Sequence, residues 1–380
     1  MLRFIAVVAL LCAAADAEDT QLTLLRATLV PLRPHQNERR EVRGATPALT
    51  VVKHQLRDWI ESRLAKFPEK GDSDALFQEL HDGLRDAGVF CDACPLSALG
   101  YVDETRVRRE AEFLVIQTSV GIWCGYDDSA YVYAWTAGHW SRIWEGEQNV
   151  YTKKGYHPQT IHAVHISTPE SGGSRLLLTL GSQPGCSAAF EPIYFRLFRL
   201  GSNGTSKLLF ERSELANVGE FPPVKGRVGP AEALIEFTAG GTGYGFSHIA
   251  DRHYDVSGTV VRQVDPIAPN PRDFVEEWLA APWSESAGRS ESAALREWHA
   301  KLHRDDGMGD FPDPISRCSS SQDLWQVGIK LHDVRGETYY FVRWQQPFRF
   351  TMMKVSERPD PTCTEPDGDA ARHRTLFSGQ

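Results

Sequence analysis

The apolar positions of the chain follow two different spacings, one typical of helices and one typical of strands. Between residues 48 and 100 they recur at helical spacing, first from Leu49 to Phe67 and then from Leu76 to Leu84. This spacing predicts two amphipathic helices. Pro68 and Gly71 interrupt the pattern between them. The region 48–100 is therefore predicted to be a helical hairpin.

From residue 112 onward the pattern changes to that of strands. Four units recur, each with an apolar strand, a polar or glycine-containing loop, a second strand, a tight connection and a third strand. Their first strands begin at Phe113, Leu176, Ala233 and Leu324. Repeated antiparallel units of three or four strands predict a mainly β, propeller-like domain over residues 101–380. A large β-sandwich is the alternative.

The third and fourth units are separated by a longer step because residues 270–303 have helical spacing. Phe274, Trp278, Trp298 and Leu302 are among their apolar positions. These side chains are too few to fill a core of their own, so the segment is expected to be a helical insertion docked on the β body.

The first 17 residues have the pattern of a signal peptide. Arg3 precedes an apolar run from Phe4 to Ala14, and Ala15-Asp16-Ala17 fits a cleavage site. The mature protein is therefore expected to be soluble, secreted or periplasmic, and without a membrane span after cleavage. Residues 18–47 are polar and aperiodic for much of their length, which predicts a linker or flexible arm.

Composition excludes two broad classes of protein. The hydrophobic content of 41% is sufficient for a folded core, which argues against a disordered chain. The net charge is -9 and the basic residues are dispersed, so a nucleic-acid partner is not expected.

Six cysteines remain after the signal peptide, which in an exported chain predicts disulfides. Cys124 and Cys186 occupy equivalent loops of successive units, and Cys318 and Cys363 flank the last unit, so each pair is a plausible bridge. The remaining two are Cys91 and Cys94. Their spacing also occurs in thiol oxidoreductases, but the strand and helix that tune such thiols are absent here. A local disulfide is therefore expected.

Two further motifs suggest a metal site and a nucleotide-binding loop, but neither has the geometry that such a site requires. His157, His162 and His165 are close in sequence, yet the last two alternate faces in a regular strand and cannot both reach one metal ion. The glycine-rich run Gly240–Gly245 has no helix after it to hold a phosphate. We therefore expect neither a metal nor another cofactor.

The loop at residues 123–129 has the composition of a binding site, because it combines aromatic side chains with carboxylates. The candidate binding residues of this loop and of its counterparts in the next two units are Trp123, Tyr126, Asp127, Asp128, Gln183, Tyr244 and His248. In a radial array these loops gather at one rim, and their chemistry suits a glycan or a peptide. The simpler interpretation is a core-covering Trp123 followed by solvated aspartates in a turn.

Two functions remain open at this point. The favoured one is a binding or structural β-repeat protein without enzymatic activity. The alternative is a secreted hydrolase, with glycans as one candidate substrate class, in which Asp127 or Asp128 works beside His248 or Asp251.

Overall fold

The computed structural model describes most of the chain, in fourteen stretches. They are residues 20–33, 45–91, 100–122, 125–148, 158–183, 190–201, 204–217, 223–240, 247–265, 267–302, 309–310, 315–331, 336–345 and 349–366. The predicted signal peptide, residues 1–17, lies outside them. Two compact units are present, the first comprising Met1–Ser187 with Phe198–Leu208 and the second Ala188–Leu197 with Leu209–Gln380.

Six α-helices are formed, three near the N-terminus and three in the predicted insertion. They are α1 (20–29), α2 (Ala45–Leu64), α3 (Ser73–Asp86), α4 (Pro271–Ala280), α5 (Trp283–Ser286) and α6 (Leu295–Leu302). These are the α-helices of the described residues. None of them is both long and apolar enough to cross a membrane.

Strands make up most of the remaining described structure. In the first part of the chain they are β1 (Val102–Glu110), β2 (Phe113–Ile122), β3 (Gly125–Thr136), β4 (His139–Gly146), β5 (Thr160–Ile166), β6 (Arg175–Ser182), β7 (Phe190–Leu200) and β8 (Ser206–Asn217). They continue with β9 (Val224–Val228), β10 (Glu232–Gly240), β11 (Ser247–Ser257), β12 (Val260–Val264), β13 (Gly309–Asp310), β14 (Ser316–Cys318), β15 (Leu324–Leu331), β16 (Thr338–Gln345), β17 (Arg349–Ser356) and β18 (Cys363–Pro366).

The first unit is built around a four-stranded antiparallel sheet, β1-β2-β3-β4. Strand β2 is buried along its whole length, because each of its faces meets a different layer. Leu114 and Ile116 point toward the helices, whereas Phe113 and Val115 contact apolar residues of the β5–β6 hairpin. Burial on both faces explains why its sequence is an almost continuous apolar run.

The N-terminal arm differs from the expectation of a loose linker. Residues 20–29 form helix α1, and its Leu22, Leu25 and Leu29 are buried in the same core as α2 and α3. These leucines are three and four residues apart, so they lie on one side of the helix. The polar stretch further on, at 34–44, lies outside the described residues.

The second unit contains two groups of antiparallel strands. In one, β10 pairs with β9 and β11, and β11 pairs with β12. The other has the order β17-β16-β15-β14-β18. Helix α4 packs against this second sheet, where Phe274 stacks on Phe350 with ring centroids 5.3 Å apart. Trp278 is fully buried, whereas Trp298 is only half buried.

The fold is therefore mainly β, with antiparallel sheets and a few helices, as the strand pattern predicted. Among the described strands, neither a closed barrel nor a ring of blades is evident. The propeller-like arrangement remains a prediction.

One of the predicted disulfides is present. Cys318 of β14 and Cys363 of β18 are bonded and buried, with their Cα atoms 3.8 Å apart. Cys91 is also in a disulfide. Cys94, Cys124 and Cys186 lie outside the described residues, so the other two pairings stay predictions.

Candidate functional site

Three of the predicted binding residues are in a strand rather than in a loop. The β2–β3 register already pairs Ile122 with Gly125, so strand β3 includes Tyr126, Asp127 and Asp128. Both aspartates are buried. The interpretation of these residues as solvated turn aspartates is therefore wrong, and so is their assignment to an inter-strand loop.

Asp127 faces the helical layer of the first unit. Its Oδ2 lies 2.7 Å from Nζ of Lys53, a residue of α2. Nζ also donates to the carbonyl oxygen of Gln148 at 2.8 Å, and the backbone N–H of Gln159 approaches Asp127 Oδ1 at 3.4 Å. The carboxylate is thus held by Lys53 of α2 and by the backbone of Gln159, while the Gln148 carbonyl holds Lys53 Nζ.

Asp128 faces the opposite side of the sheet, as alternation along a strand requires. The backbone N–H of Ile161 donates to its Oδ2 at 2.7 Å. Burial raises the pKa of Asp128 to about 7, although the hydrogen bond from Ile161 acts in the opposite direction. Near the start of the strand, burial and the Asp103 carboxylate raise the pKa of Tyr126.

A further buried carboxylate in this unit is Glu147. Tyr131 donates its hydroxyl to Oε1 at 2.5 Å, and Arg57 lies 3.3 Å from Oε2. His54 is 3.6 Å from the same oxygen. Burial, followed by the charge of Glu147, raises the pKa of Tyr131 well above its usual value. This network joins α2 to the sheet.

The other candidate binding residues and the histidines of the metal motif lie in separate places along the chain. Gln183 is exposed directly after β6, and both Trp123 and Tyr244 lie outside the described residues. In β5, His162 Nε2 lies 3.0 Å from Ser182 Oγ, and burial lowers the pKa of His162 to about 4. Burial also lowers the pKa of His165.

These histidines do not form a metal centre with described neighbours. No group of three or more His, Cys, Asp or Glu side chains within the fourteen described stretches is placed to hold a metal ion. His157 and the residues after Gly240 in the glycine-rich run are outside those stretches.

His248 lies in a cavity of about 280 Å³ in the second unit. Strands β8, β10, β11 and β12 supply part of the wall, and Ile267, α4 and the segment after α4 supply the rest. The polar residues that line it are Arg212, Glu214, His248, Arg252, Gln263, Glu276, Glu277, Glu285, Ser286 and Arg289. Acidic and basic groups are present in similar numbers.

A chain of ion pairs forms one wall of this cavity. Arg212 Nε lies 2.6 Å from Glu214 Oε1, and Arg252 Nη2 lies 2.7 Å from Glu214 Oε2. On its other side, Arg252 Nη1 lies 2.7 Å from Glu277 Oε2, while Oε1 of Glu277 is 2.7 Å from His248 Nε2. Five side chains from β8, β11 and α4 are thereby fixed relative to one another.

The protonation state of Glu277 follows from its ion pairs in the cavity wall. Burial alone would raise the pKa of Glu277, but Arg252 and His248 outweigh burial and lower it. For His248, burial disfavours the charged ring, yet the hydrogen bond and charge of Glu277 raise its pKa. Glu277 is therefore a carboxylate, and it accepts a hydrogen bond from His248 Nε2.

Glu276, the neighbour of Glu277 on α4, is in a different state. Its side chain is buried, and its Oε1 accepts no hydrogen bond from the described part of the chain. Burial raises the pKa of Glu276 to about 7, although the charge of His248 lowers it in part. The two adjacent glutamates of α4 thus differ, because Glu276 changes charge near neutral pH and Glu277 stays ionised.

Asp251 belongs to the same strand as His248 but sits on the other face. It is directly opposite Glu236 of β10, and both carboxyls are buried. Neither oxygen of Asp251 has a hydrogen-bond partner among the described residues. Burial and then the negative charge of Glu236 raise the pKa of Asp251 to about 8.

The hydrolase alternative placed Asp127 or Asp128 beside His248 or Asp251. The aspartates of β3 belong to the first unit and His248 and Asp251 to the second. Within the second unit, the carboxyl nearest to His248 is Glu277, which the sequence analysis did not single out. Its signal was faint: two adjacent glutamates, Glu276 and Glu277, interrupt the apolar side of α4.

Comparisons with known proteins assign no family. No family model matches the sequence, and no curated protein matches it. One similar solved structure is that of a BT0996 RGII complex. The two chains are 9% identical, the similarity covers 66% of this chain and 72% of that chain, and the TM-score is 0.26. A TM-score this low supports no conclusion about this protein.

Proposed function

We propose that this protein is an exported, non-enzymatic binding protein, and that the cavity of its second unit holds a small neutral ligand rich in hydroxyl groups, such as one ring of a glycan. The observation that carries the proposal is the charge-compensated wall of that cavity. Arg252 is flanked by Glu214 and Glu277, and His248 is paired with Glu277. A charged ligand would have to compete with these pairs, whereas a neutral one only exchanges hydrogen bonds.

The hydrogen-bonding groups of the wall suit hydroxyls. Arg212 and Gln263 are half-buried and bonded to each other at 3.3 Å, and Arg289 is also half-buried. The wall therefore offers both donors and acceptors, as an O–H group that both donates and accepts requires. The cavity volume of about 280 Å³ is at the lower end of the roughly 300–1,000 Å³ of small-molecule sites. A single sugar ring fits this size better than a long oligomer.

Export is the part of the proposal that rests on the N-terminal pattern. The disulfide between Cys318 and Cys363 supports it, because such bonds persist mainly in oxidising compartments. A propeller-like order of the repeated antiparallel units is part of the same proposal, and the alternation of strands and turns supports it.

Binding can be tested on the full-length mature protein by isothermal titration calorimetry. The probes are neutral mono- and disaccharides, with a neutral tripeptide and a sugar phosphate as comparison ligands. We expect a neutral saccharide to bind, and Gln263→Ala to weaken its binding roughly fivefold, because one hydrogen bond contributes about 1 kcal/mol. The control is Arg262→Ala, since Arg262 precedes Gln263 on β12 but is exposed. Preference for the sugar phosphate or the tripeptide, or equal losses in both variants, would contradict the proposal.

A hydrolase is the second candidate, and the two glutamates of α4 are the observation that favours it. The pKa of Glu276 is raised to about 7 and that of Glu277 is lowered, so a proton donor and a carboxylate are adjacent in one cavity. Pairs of carboxyl groups whose pKa values diverge in this way are typical of acid–base catalysis.

The hydrolase is tested with a panel of aryl glycosides from pH 5 to 9. If the protein is a hydrolase of this kind, its rate of glycoside hydrolysis falls as pH rises through about 7, because Glu276 loses its proton there. Glu276→Gln should lower the rate at least about a hundredfold while saccharide binding persists. Hydrolysis that is equally fast in Glu276→Gln would exclude this residue as the acid.

A further inference from the structure

The ion pair between Lys53 and Asp127 has a feature that ordinary ion pairs lack. Only 1% of the Lys53 side chain and none of the Asp127 side chain is exposed. Lysine and aspartate are rarely buried to this degree. Lys53 lies between Val52 and Leu56 on the buried side of α2, and both of these neighbours belong to the core of the first unit.

The two functional groups are in direct hydrogen-bonding contact. Lys53 Nζ is 2.7 Å from Asp127 Oδ2, and two neighbouring backbone groups fix the pair. The carbonyl oxygen of Gln148 accepts from Nζ at 2.8 Å, and the N–H of Gln159 points to Asp127 Oδ1 at 3.4 Å. Groups held in this way, with little freedom to separate, react far faster than free ones.

The surroundings favour a neutral product over two charges. Removing both an ammonium and a carboxylate from water is costly, and close pairing offsets that cost only in part. An amide bond between the same atoms carries no charge. Its N–H has an acceptor in the Gln148 carbonyl, and its C=O has a donor in the Gln159 N–H.

We propose that Lys53 and Asp127 are joined by an intramolecular amide bond, which makes this buried pair a self-modification site. In the reaction, Lys53 Nζ first passes a proton to Asp127 Oδ2. The neutral amine then attacks Cγ, the bond from Cγ to Oδ2 breaks, and Oδ2 leaves as water with one further proton from Nζ. One C–N bond forms, one C–O bond breaks, and no oxidant or co-reactant is needed.

The bond has a structural consequence for the first unit. It ties α2 to β3 and closes a long loop that contains α3, β1 and β2. A covalent link of this kind limits the conformations of the unfolded chain, as a disulfide does. Unlike a disulfide, it would persist under reducing conditions.

Mass spectrometry of the full-length mature protein tests the proposal. After reduction, the intact mass should be lower than the sequence requires by one molecule of water. Trypsin should not cleave after the modified Lys53, so the digest should contain a branched peptide of residues 44–57 joined to residues 110–142. Recovery of Lys53 and Asp127 only in separate linear peptides would overturn the proposal, whether or not any variant folds.

Two controls separate this bond from unrelated loss of water. Lys53→Arg keeps a positive charge next to Asp127 but offers no primary amine, so its mass should match its sequence. The exposed pair Lys301 and Glu357, 3.3 Å apart, should give linear peptides in the same digest. Persistence of the water loss in Lys53→Arg, or a branched peptide at Lys301, would also overturn the proposal.

Discussion

Glu277→Gln should lower the free energy of unfolding by about 3 to 5 kcal/mol, since removing one partner of a buried ion pair leaves the other charge uncompensated. Glu277 is the acceptor for both Arg252 and His248, at 2.7 Å in each case. The substitution keeps the shape of the side chain and removes only its charge. Chemical denaturation followed by circular dichroism gives the change directly.

Glu285→Gln is the matched control for this experiment. Glu285 lines the same cavity, but its side chain is exposed. Its substitution should change the free energy of unfolding by less than about 0.5 kcal/mol, as exposed positions usually do. If Glu277→Gln were as mild as Glu285→Gln, the ion-pair chain of the cavity wall would have no role in stability.

Asp251 should make the protein less stable as pH rises from about 4 to about 8. Its pKa is raised from 3.8 to about 8 in the folded state. Below this window both the folded and the unfolded state hold the proton. Within it the unfolded state releases the proton while the folded state keeps it, so stability falls by about 1.4 kcal/mol per pH unit. Above the window both states are ionised and the slope disappears.

Asp251→Asn should remove this component, so that the variant gains stability over the natural protein as pH rises from 4 to 8. The difference between the two unfolding curves isolates Asp251 from Asp128 and Glu276, whose raised pKa values give slopes of the same sign. Asp255→Asn serves as the control, because Asp255 is on the same strand but exposed. Parallel pH profiles for natural protein and Asp251→Asn would show that Asp251 is ionised when folded.

The helices and the first strands could be predicted because their signals are local. Helices α2 and α3 follow from apolar side chains at three- and four-residue spacing, which depends on neighbours along the chain. Strand β2 follows from a continuous apolar run. The same local rule would also have found α1, whose Leu22, Leu25 and Leu29 have this spacing. The polar residues that follow α1 led instead to the expectation of a flexible arm.

The burial of Asp127 and Asp128 could not be predicted from their neighbours. The sequence around them, Gly-Tyr-Asp-Asp-Ser, is typical of an exposed turn. Lys53 comes from a helix far earlier in the chain, and the N–H of Ile161 comes from a later strand. Each partner offsets part of the cost of burying a carboxylate. The local sequence therefore predicted a turn, whereas contacts that form only in the folded chain place these residues in a buried strand.

By itself, the sequence determined that this protein is mainly β, that a helical pair precedes its strands, and that Cys318 and Cys363 flank the last unit, which made a bridge between them a plausible prediction. These properties depend on spacing along the chain. Only the tertiary structure decided which charged groups are buried together. Glu214, His248, Arg252 and Glu277 come from three separate elements, and no periodicity relates them. Their protonation depends on distances and on exclusion of water, and both arise only when those elements pack.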